Sequence, residues 1–366
     1  MKKLIFIALL IVLAGVAYLS VKKLQNEINS VLSEQVQTPS SPDAPLKLTG
    51  NGDLTGSETI FVPYWSLDNT SEIPSRYNRL VYFAVTPGTN GLDTSESGYT
   101  DLSLFRRVST KTAAKIYLAL SMTDTTQNFA ILENKKRQQA LINDTLKTAQ
   151  DNGFSGVVVD LELQALPFDS LVGQINTFIA DFSDAAQERH LAFAQTFYGD
   201  TFYRLRPFDI KSLTKSGDEV MIMAYDFHKA KGSPGPNFPL GGEDTYGYDM
   251  EEMIQDFLKI VPSNKITVVF GMFGYDWKVN GSGASLDTAN PLTDTQISQK
   301  FLNGCQYADC KVMPDSVSKE TKITYKDTDS VSHIVWFEDA ASVVKKQMLL
   351  AKYHIGSFGY WAYSYF

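Results

Sequence analysis

Two acids close an apolar run in Val157-Val158-Val159-Asp160-Leu161-Glu162. In a strand, alternate side chains share a face, so Val158, Asp160 and Glu162 point the same way, with the two carboxylates ~7 Å apart. Buried acids are costly unless paired or hydrogen-bonded, and two coupled carboxylates split their titrations, one upward and one downward. A raised acid beside an ionised one is what protonation of a glycosidic oxygen requires. A strand simply running out into solvent would also end in acids, so the pattern needs support from elsewhere.

A second run, Met221-Ile222-Met223-Ala224-Tyr225-Asp226-Phe227-His228, is apolar until its polar end. Met221, Met223 and Tyr225 share one face, which would let the Tyr225 phenol donate a hydrogen bond into a cleft and let Asp226 orient it or meet substrate. A third run, Gly359-Tyr360-Trp361-Ala362-Tyr363, sets Trp361 and Tyr363 against Tyr360. One set must face inward, and an inward tryptophan would form the floor under a sugar ring. His228 and His333 have no acid at ligand spacing and read as hydrogen-bonding residues, not a metal pair.

Positioning these groups requires many short parallel strands. β-rich runs alternate with amphipathic stretches, the pattern of βα units. Eight strands are predicted: Thr59–Pro63, Leu80–Val85, Lys115–Ala119, Gly156–Glu162, Leu191–Thr196, Glu219–Tyr225, Lys265–Phe270 and Gly359–Tyr363. Between them, Leu171, Ile175, Phe178, Ile179 and Phe182 form one helical stripe, and Met250, Met253, Ile254, Phe257 and Leu258 another. Lys135–Gln150 reads as a helix stopped at Asn152-Gly153. Eight such units predict an α/β fold, a (β/α)8 barrel over residues 58–366, whose active sites lie at the C-terminal ends of the strands. A doubly wound sheet is the alternative, but Pro63-Tyr64-Trp65 stands where a dinucleotide fold would carry its glycine-rich loop.

Two irregularities stand out. About residues 278–332 are too long for a loop and include β-like Lys322–Tyr325 and Val331–Val335, so a small insertion is expected between strands seven and eight. Asp339–Tyr353 reads as the helix leading into strand eight. The chain also ends at Phe366 without the usual final helix, and the weakly amphipathic Leu24–Val36 is the available cover for that flank.

Residues 1–23 form a leader. Lys2 and Lys3 precede an uncharged run, Leu4–Val21, whose 18 residues span ~27 Å as a helix. It reads as a signal anchor or a signal peptide, membrane contact through an N-terminal helix in the first case and secretion in the second. Both put the domain outside the cytoplasm. The polar, Pro- and Ser-containing residues 24–57 form a linker. Cys305 and Cys310 are either free thiols or, outside the cytosol, a small loop disulfide. The net charge of −8 and the absence of a basic stripe argue against a nucleic-acid partner.

Taken together, these residues resemble glycoside hydrolase family 18, the chitinase-like group. Asp160-Leu161-Glu162 is similar to the end of that family's fourth-strand acidic motif, Met223-Ala224-Tyr225-Asp226 to its sixth-strand motif, and Trp361 to the eighth-strand tryptophan beneath the reacting sugar. Val62-Pro63-Tyr64-Trp65, Gly274-Tyr275-Asp276-Trp277 and His333–Ser342 resemble the bacterial spore-cortex and cell-wall branch. Two positions depart from the family pattern: Ser155 replaces the motif's first acid, and Val158 replaces the polar residue beneath Asp160.

The resemblance implies a retaining, substrate-assisted hydrolysis of β-linked N-acetylglucosamine in chitin or peptidoglycan. Glu162 is the implied proton donor, Asp160 and Tyr225 the residues gripping the 2-acetamido group, and Trp361, Asp226, Met223, Tyr64 and Trp277 the substrate-binding residues. No metal or organic cofactor is implied, and the barrel is expected to act as a monomer. The departure at Val158 leaves open a carbohydrate-binding barrel with little turnover, and predicts that Asp160 feels more desolvation and less charge coupling.

Overall fold

The computed structural model describes residues 56–366. The expected leader, all but the end of the expected linker, and Leu24–Val36 lie outside the described residues. Among the described residues no helix is long and apolar enough to cross a membrane.

Eight parallel strands close into a barrel: β1 (Glu58–Pro63), β2 (Arg79–Val85), β3 (Lys115–Met122), β4 (Gly156–Leu161), β5 (Ala192–Tyr198), β6 (Glu219–Ala224), β7 (Ile266–Gly271) and β13 (Ser357–Trp361), with β13 pairing between β7 and β1. The eight expected runs are these strands. Their ends differ in ways that matter. β5 continues two residues past its expected end, to Tyr198, while β4 and β6 stop one residue early, so Glu162 and Tyr225 are the first residues beyond the ladder.

Alternation sorts each strand. Val157, Val159 and Leu161 pack outward with the helices, whereas Val158 joins Phe61, Val81, Ala119, Ala194, Met221 and Val269 in an apolar layer inside the barrel. Below that layer the axis is polar. Arg79 pairs with Glu219, its Nη2 donating to Oε1 at 2.7 Å and its Nε to Thr59 Oγ1 at 2.8 Å. Above it stand the acids. A partly buried ion pair thus occupies one end of the barrel, and inward polar positions gather again at the other, where active sites of this fold lie.

The helices follow from their sequences. In Asp169–Glu188 the buried residues include Leu171, Ile175, Phe178, Ile179 and Phe182. In Met250–Leu258 they are Met250, Met253, Ile254 and Phe257. Lys135–Asp151 is capped by Asn134, whose side chain accepts from Lys136 and Arg137, and ends before Gly153 at φ +65°.

The insertion is larger than the sequence suggested. It is a five-stranded antiparallel sheet of β8 (Phe273–Val279), β9 (Asn290–Thr293), β10 (Ala308–Pro314), β11 (Thr321–Lys326) and β12 (Ser332–Phe337), ordered β10-β11-β12-β8-β9. The β-like Lys322–Tyr325 lies in β11 and Val331–Val335 overlaps β12, but the expected limits of about 278–332 cut through β8 and β12, because β8 follows β7 after one residue. Phe337 sits opposite Gly274, and the Glu338 N–H donates to Phe273 O at 3.2 Å, so the chain enters and leaves the sheet at adjacent points. Ile297, Phe301, Ile323, Tyr325, Val335 and Phe337 form its core, with the Cys305–Cys310 disulfide at the edge.

A fully buried triad joins the sheet to the barrel. Lys346, on the helix Ala340–Lys352, donates to Glu320 Oε1 at 2.7 Å and also to Glu338. Glu320 in turn accepts the backbone N–H groups of Asn237 and Phe238, at 2.5 and 2.8 Å, from the loop after β6.

Candidate active site

A cleft with a cavity volume of about 590 Å³ opens at the C-terminal ends of the barrel strands. Asp160, Glu162, Tyr225, Trp361, Asp226, Met223 and Tyr64 all line it. Trp277 does not. Expected to bind substrate, it is fully buried between Val279, Ala289 and Trp336, because β8 directs it into the insertion's own packing.

Asp160 is 3% exposed and faces the axis above Val158. Thr196 Oγ1, from β5, donates to its Oδ1 at 2.5 Å. Burial, and then the neighbouring charge of Glu162, push the Asp160 carboxyl up to about 7, with Thr196 opposing the shift. Desolvation is thus the larger effect. Coupling to Glu162 is nonetheless retained, and Thr196 supplies from the side the polar contact that Val158 cannot give from below.

Ser155 bears on none of this. It precedes β4 at the far end of the barrel, exposed, with its N–H on Ile116 O. The six residues of β4, ~20 Å of strand, separate it from Glu162.

Glu162 Oε2 accepts the Tyr198 phenol at 2.7 Å. Tyr225, half-buried, faces Asp160, Glu162 and Asp226, and desolvation followed by their charges holds its phenol well above the ordinary tyrosine range. It therefore stays protonated, as a donor into the cleft must. Gly271 permits this placement. A Cβ there would come within 2.6 Å of the Tyr225 Cβ and 2.9 Å of Asn237 Nδ2.

Asp226 takes the left-handed conformation, φ +58°. Its N–H donates to Asn237 Oδ1 at 2.8 Å, and its Oδ1 accepts the Tyr275 phenol at 2.7 Å. Aspartate tolerates this conformation better than most residues. Burial, the largest influence, raises its carboxyl, opposed by Tyr275 and Lys229.

Trp361 is the inward member of its strand, while Tyr360 turns outward and accepts from Gln347 at 3.0 Å. Trp361 stands edge-on to Phe83, ring centroids 4.6 Å apart, and leans toward Tyr225 at 6.5 Å. Trp65, 52% exposed, lies 6.4 Å from Trp361 at the mouth. The insertion supplies the opposite wall through Tyr275, Pro291, Leu292, Thr293 and Gln296. Thr295 N–H donates to Tyr365 O at 3.0 Å, which fastens that wall to the chain after β13.

His228 and His333 are hydrogen-bonded as expected: His228 Nδ1 meets Pro236 O at 2.8 Å, and His333 Nδ1 meets Asp276 Oδ1 at 2.7 Å inside the insertion. Among the described residues no group of three or more His, Cys, Asp or Glu is arranged to hold a metal.

Sequence reasoning missed Thr196, Tyr198 and Trp65. The first two had a readable signal. Thr196-x-Tyr198 ends a strand with period-two polarity, and β5 is the neighbour of the strand bearing the acids.

The cleft therefore brings two neighbouring carboxyls, a protonated phenol and an inward tryptophan together, without a cation among its lining residues. Comparison with known proteins points the same way. A cortical fragment-lytic enzyme of Bacillus subtilis is 24% identical over 241 residues, covering 63% of this chain and 51% of that protein. The chain spans about half the length of the curated relatives it matches. The Bacillus cereus spore cortex-lytic enzyme SleL superposes with a TM-score of 0.66 at 19% identity, covering 84% of this chain and 71% of that one. A class V chitinase from Nicotiana tobaccum superposes with a TM-score of 0.72 at 15% identity, covering 85% and 95%. At these identities the superpositions speak for the fold. The profile of glycosyl hydrolases family 18 matches residues 60–365, and the chain belongs to that family.

Proposed function

We propose that this protein hydrolyses β-linked N-acetylglucosamine glycans, of the chitin or peptidoglycan type, with retention of anomeric configuration and through the substrate's own acetamido group. The observation that carries this reading is the coupled pair of Asp160 and Glu162 beside a protonated Tyr225 in one open cleft.

Glu162 gives its proton to the glycosidic oxygen as the C1–O bond breaks and the bonding pair leaves with that oxygen. The acetamido carbonyl oxygen attacks C1 from the other face and forms an oxazolinium ion. This replaces the enzyme nucleophile of the two-carboxylate scheme. Asp160 holds the acetamido N–H and, as carboxylate, faces the positive charge that develops there. Tyr225 donates to the acetamido oxygen and fixes it for attack. Glu162 then takes a proton from water, whose oxygen adds to C1 and reopens the ring. Trp361 forms the floor of the sugar site, Tyr64 and Met223 its walls, and Asp226 meets sugar hydroxyls.

The names of the relatives, a cortical fragment-lytic enzyme and a chitinase, support this substrate range and action on the cell envelope outside the cytoplasm. The disulfide is consistent with that setting. One feature favours a sugar-binding barrel with little turnover: Val158 leaves Asp160 without support from below.

Mass spectrometry of products from chito-oligomers and purified peptidoglycan, in water enriched in heavy oxygen, separates the readings. Turnover with one label at the new reducing end, lost ~10²–10⁴-fold in Glu162→Gln, supports hydrolysis. Binding without turnover in the unaltered protein would leave the sugar-binding reading.

A further inference from the structure

Tyr198 ends β5 and faces the axis two positions beyond Thr196, and its hydroxyl donates to Glu162 Oε2 at 2.7 Å. The phenol does not stand alone. The Arg206 guanidinium lies over its ring, 3.8 Å from the centroid, and Lys229 Nζ lies 5.1 Å from it. Arg206 is buried and fixed by Asp200, whose Oδ1 accepts from Nε at 3.1 Å and also from Nη2. Asp200 is buried too, and its other oxygen takes Arg204 at 2.6 Å. The chain just after β5 thus builds a rigid backing for one hydroxyl group, and that hydroxyl is spent on Glu162.

We propose that Tyr198, backed by Arg206, is the positioning residue of the proton donor: it fixes which Glu162 oxygen faces the substrate and stabilises the carboxylate formed as the proton leaves. The proposal rests on the reading that Glu162 is the acid. With Oε2 engaged, Oε1 is the oxygen left to carry the proton to the glycosidic bond. When that bond breaks, its electron pair passes to the leaving oxygen, which takes the proton, and Glu162 becomes anionic. The Tyr198 hydrogen bond then changes from neutral to charge-assisted and strengthens. An interaction stronger in the transition state than in the ground state accelerates the step.

A cation over the ring draws electron density from the phenol, which makes it a better donor. The other groups facing Glu162 are Asp160 on its own strand and Tyr225 and Asp226 at the end of β6. Two are carboxyls whose charge disfavours a third anion, which is the condition under which a dedicated donor matters most. Burial and the charge of Glu162 push the Tyr198 phenol up, so it donates and does not ionise.

Tyr198→Phe removes the hydroxyl and leaves the ring beneath Arg206. The expected result is a ~10–100-fold fall in kcat, the range for a hydrogen bond to a charged group, with little change in KM. The alkaline limb of the kcat profile should move to higher pH by about one unit. A purely structural role would leave that limb in place. Arg206→Met should move it in the same direction by less.

A second readout does not depend on turnover. In protein carrying ¹³C-glutamate, the Glu162 carboxyl signal, assigned by its loss in Glu162→Gln, should change at higher pH in Tyr198→Phe. If Tyr198→Phe does not fold, 3-fluorotyrosine at position 198 keeps the shape, strengthens the donor, and should move the signal the opposite way. An unmoved signal and an unchanged kcat overturn the proposal. No turnover by the unaltered protein, with the signal still moving, sinks the hydrolase reading instead and leaves the Tyr198–Glu162 coupling standing.

Discussion

Thr196 and Asp160 meet at 2.5 Å across the β4–β5 edge, the hydroxyl donating to a carboxylate that has only valine beneath it. Because the bond favours the ionised form, its loss should raise the Asp160 titration above its present value of about 7. Thr196→Val keeps the shape and removes the donor. A rise of about one unit, equivalent to ~1.4 kcal/mol, is expected, read from the carboxyl-carbon signal of labelled Asp160. An unchanged midpoint would show that Thr196 gives Asp160 no support.

Asp160 also links stability to pH. Its folded value of about 7 lies above the ordinary 3.8, so between these values the native state holds a proton that the unfolded chain has released. Stability therefore falls as pH rises from about 4 to about 7, and the penalty is fully present above that window. Asp160→Asn should abolish this slope and raise stability at neutral pH by roughly 2–4 kcal/mol. Urea unfolding of both proteins at pH 4.5 and 7.5 checks it: the gain should be small at the lower pH and large at the higher.

The triad of Glu320, Lys346 and Glu338 has no exposed atoms to share with water. Lys346→Met removes the single cation between two buried carboxyls, which should destabilise the fold by about 3–5 kcal/mol. Pairing it with Glu320→Gln and Glu338→Gln, which remove the stranded charges, should recover part of the loss. Equal denaturation midpoints for the single and triple variants would contradict this account.

Charge in the cleft should select among glycans. Its lining holds Asp160, Glu162 and Asp226 and neither lysine nor arginine. A substrate carboxylate ~6 Å from an ionised one costs about 0.7 kcal/mol even in water, so each such encounter disfavours the substrate by ~3-fold. Neutral N-acetylglucosamine oligomers should thus have a higher kcat/KM than glycans bearing free carboxylates. The gap should narrow as salt rises from about 0.1 to 1 M, where screening shortens from ~10 to ~3 Å. A gap that ignores salt would point to shape instead.

Much of the barrel was legible because both periodicities were present. Val157 to Glu162 alternates between helix-facing and axis-facing positions, and residues 171–182 carry a continuous apolar stripe. The site residues Asp160, Glu162, Tyr225 and Trp361 could be named because each stands at or just past the end of a strand, in step with its inward face. Trp277 misled because an aromatic near the cleft in sequence can turn away from it: β8 pairs with β12, and Trp277 packs inside the insertion. Tyr198 escaped because the strand was ended at Thr196, although its alternation runs on to Tyr198, which pairs with Met223 of β6. The buried triad was invisible for a related reason. Glu320, Glu338 and Lys346 stand apart in the sequence, and only the fold buries them together.

The adjacency of Phe273 and Glu338, where the five-stranded sheet departs from the barrel and rejoins it, makes that sheet a graft on the scaffold. The proton-handling acids belong to the stock, while Pro291, Leu292, Thr293 and Gln296 belong to the scion. Recombination or deliberate transplantation at those two points would exchange one wall of the groove while every reacting side chain kept its strand. Preference for glycan length or decoration can therefore diverge without reopening the chemistry, provided the newcomer still offers a carboxylate to Lys346.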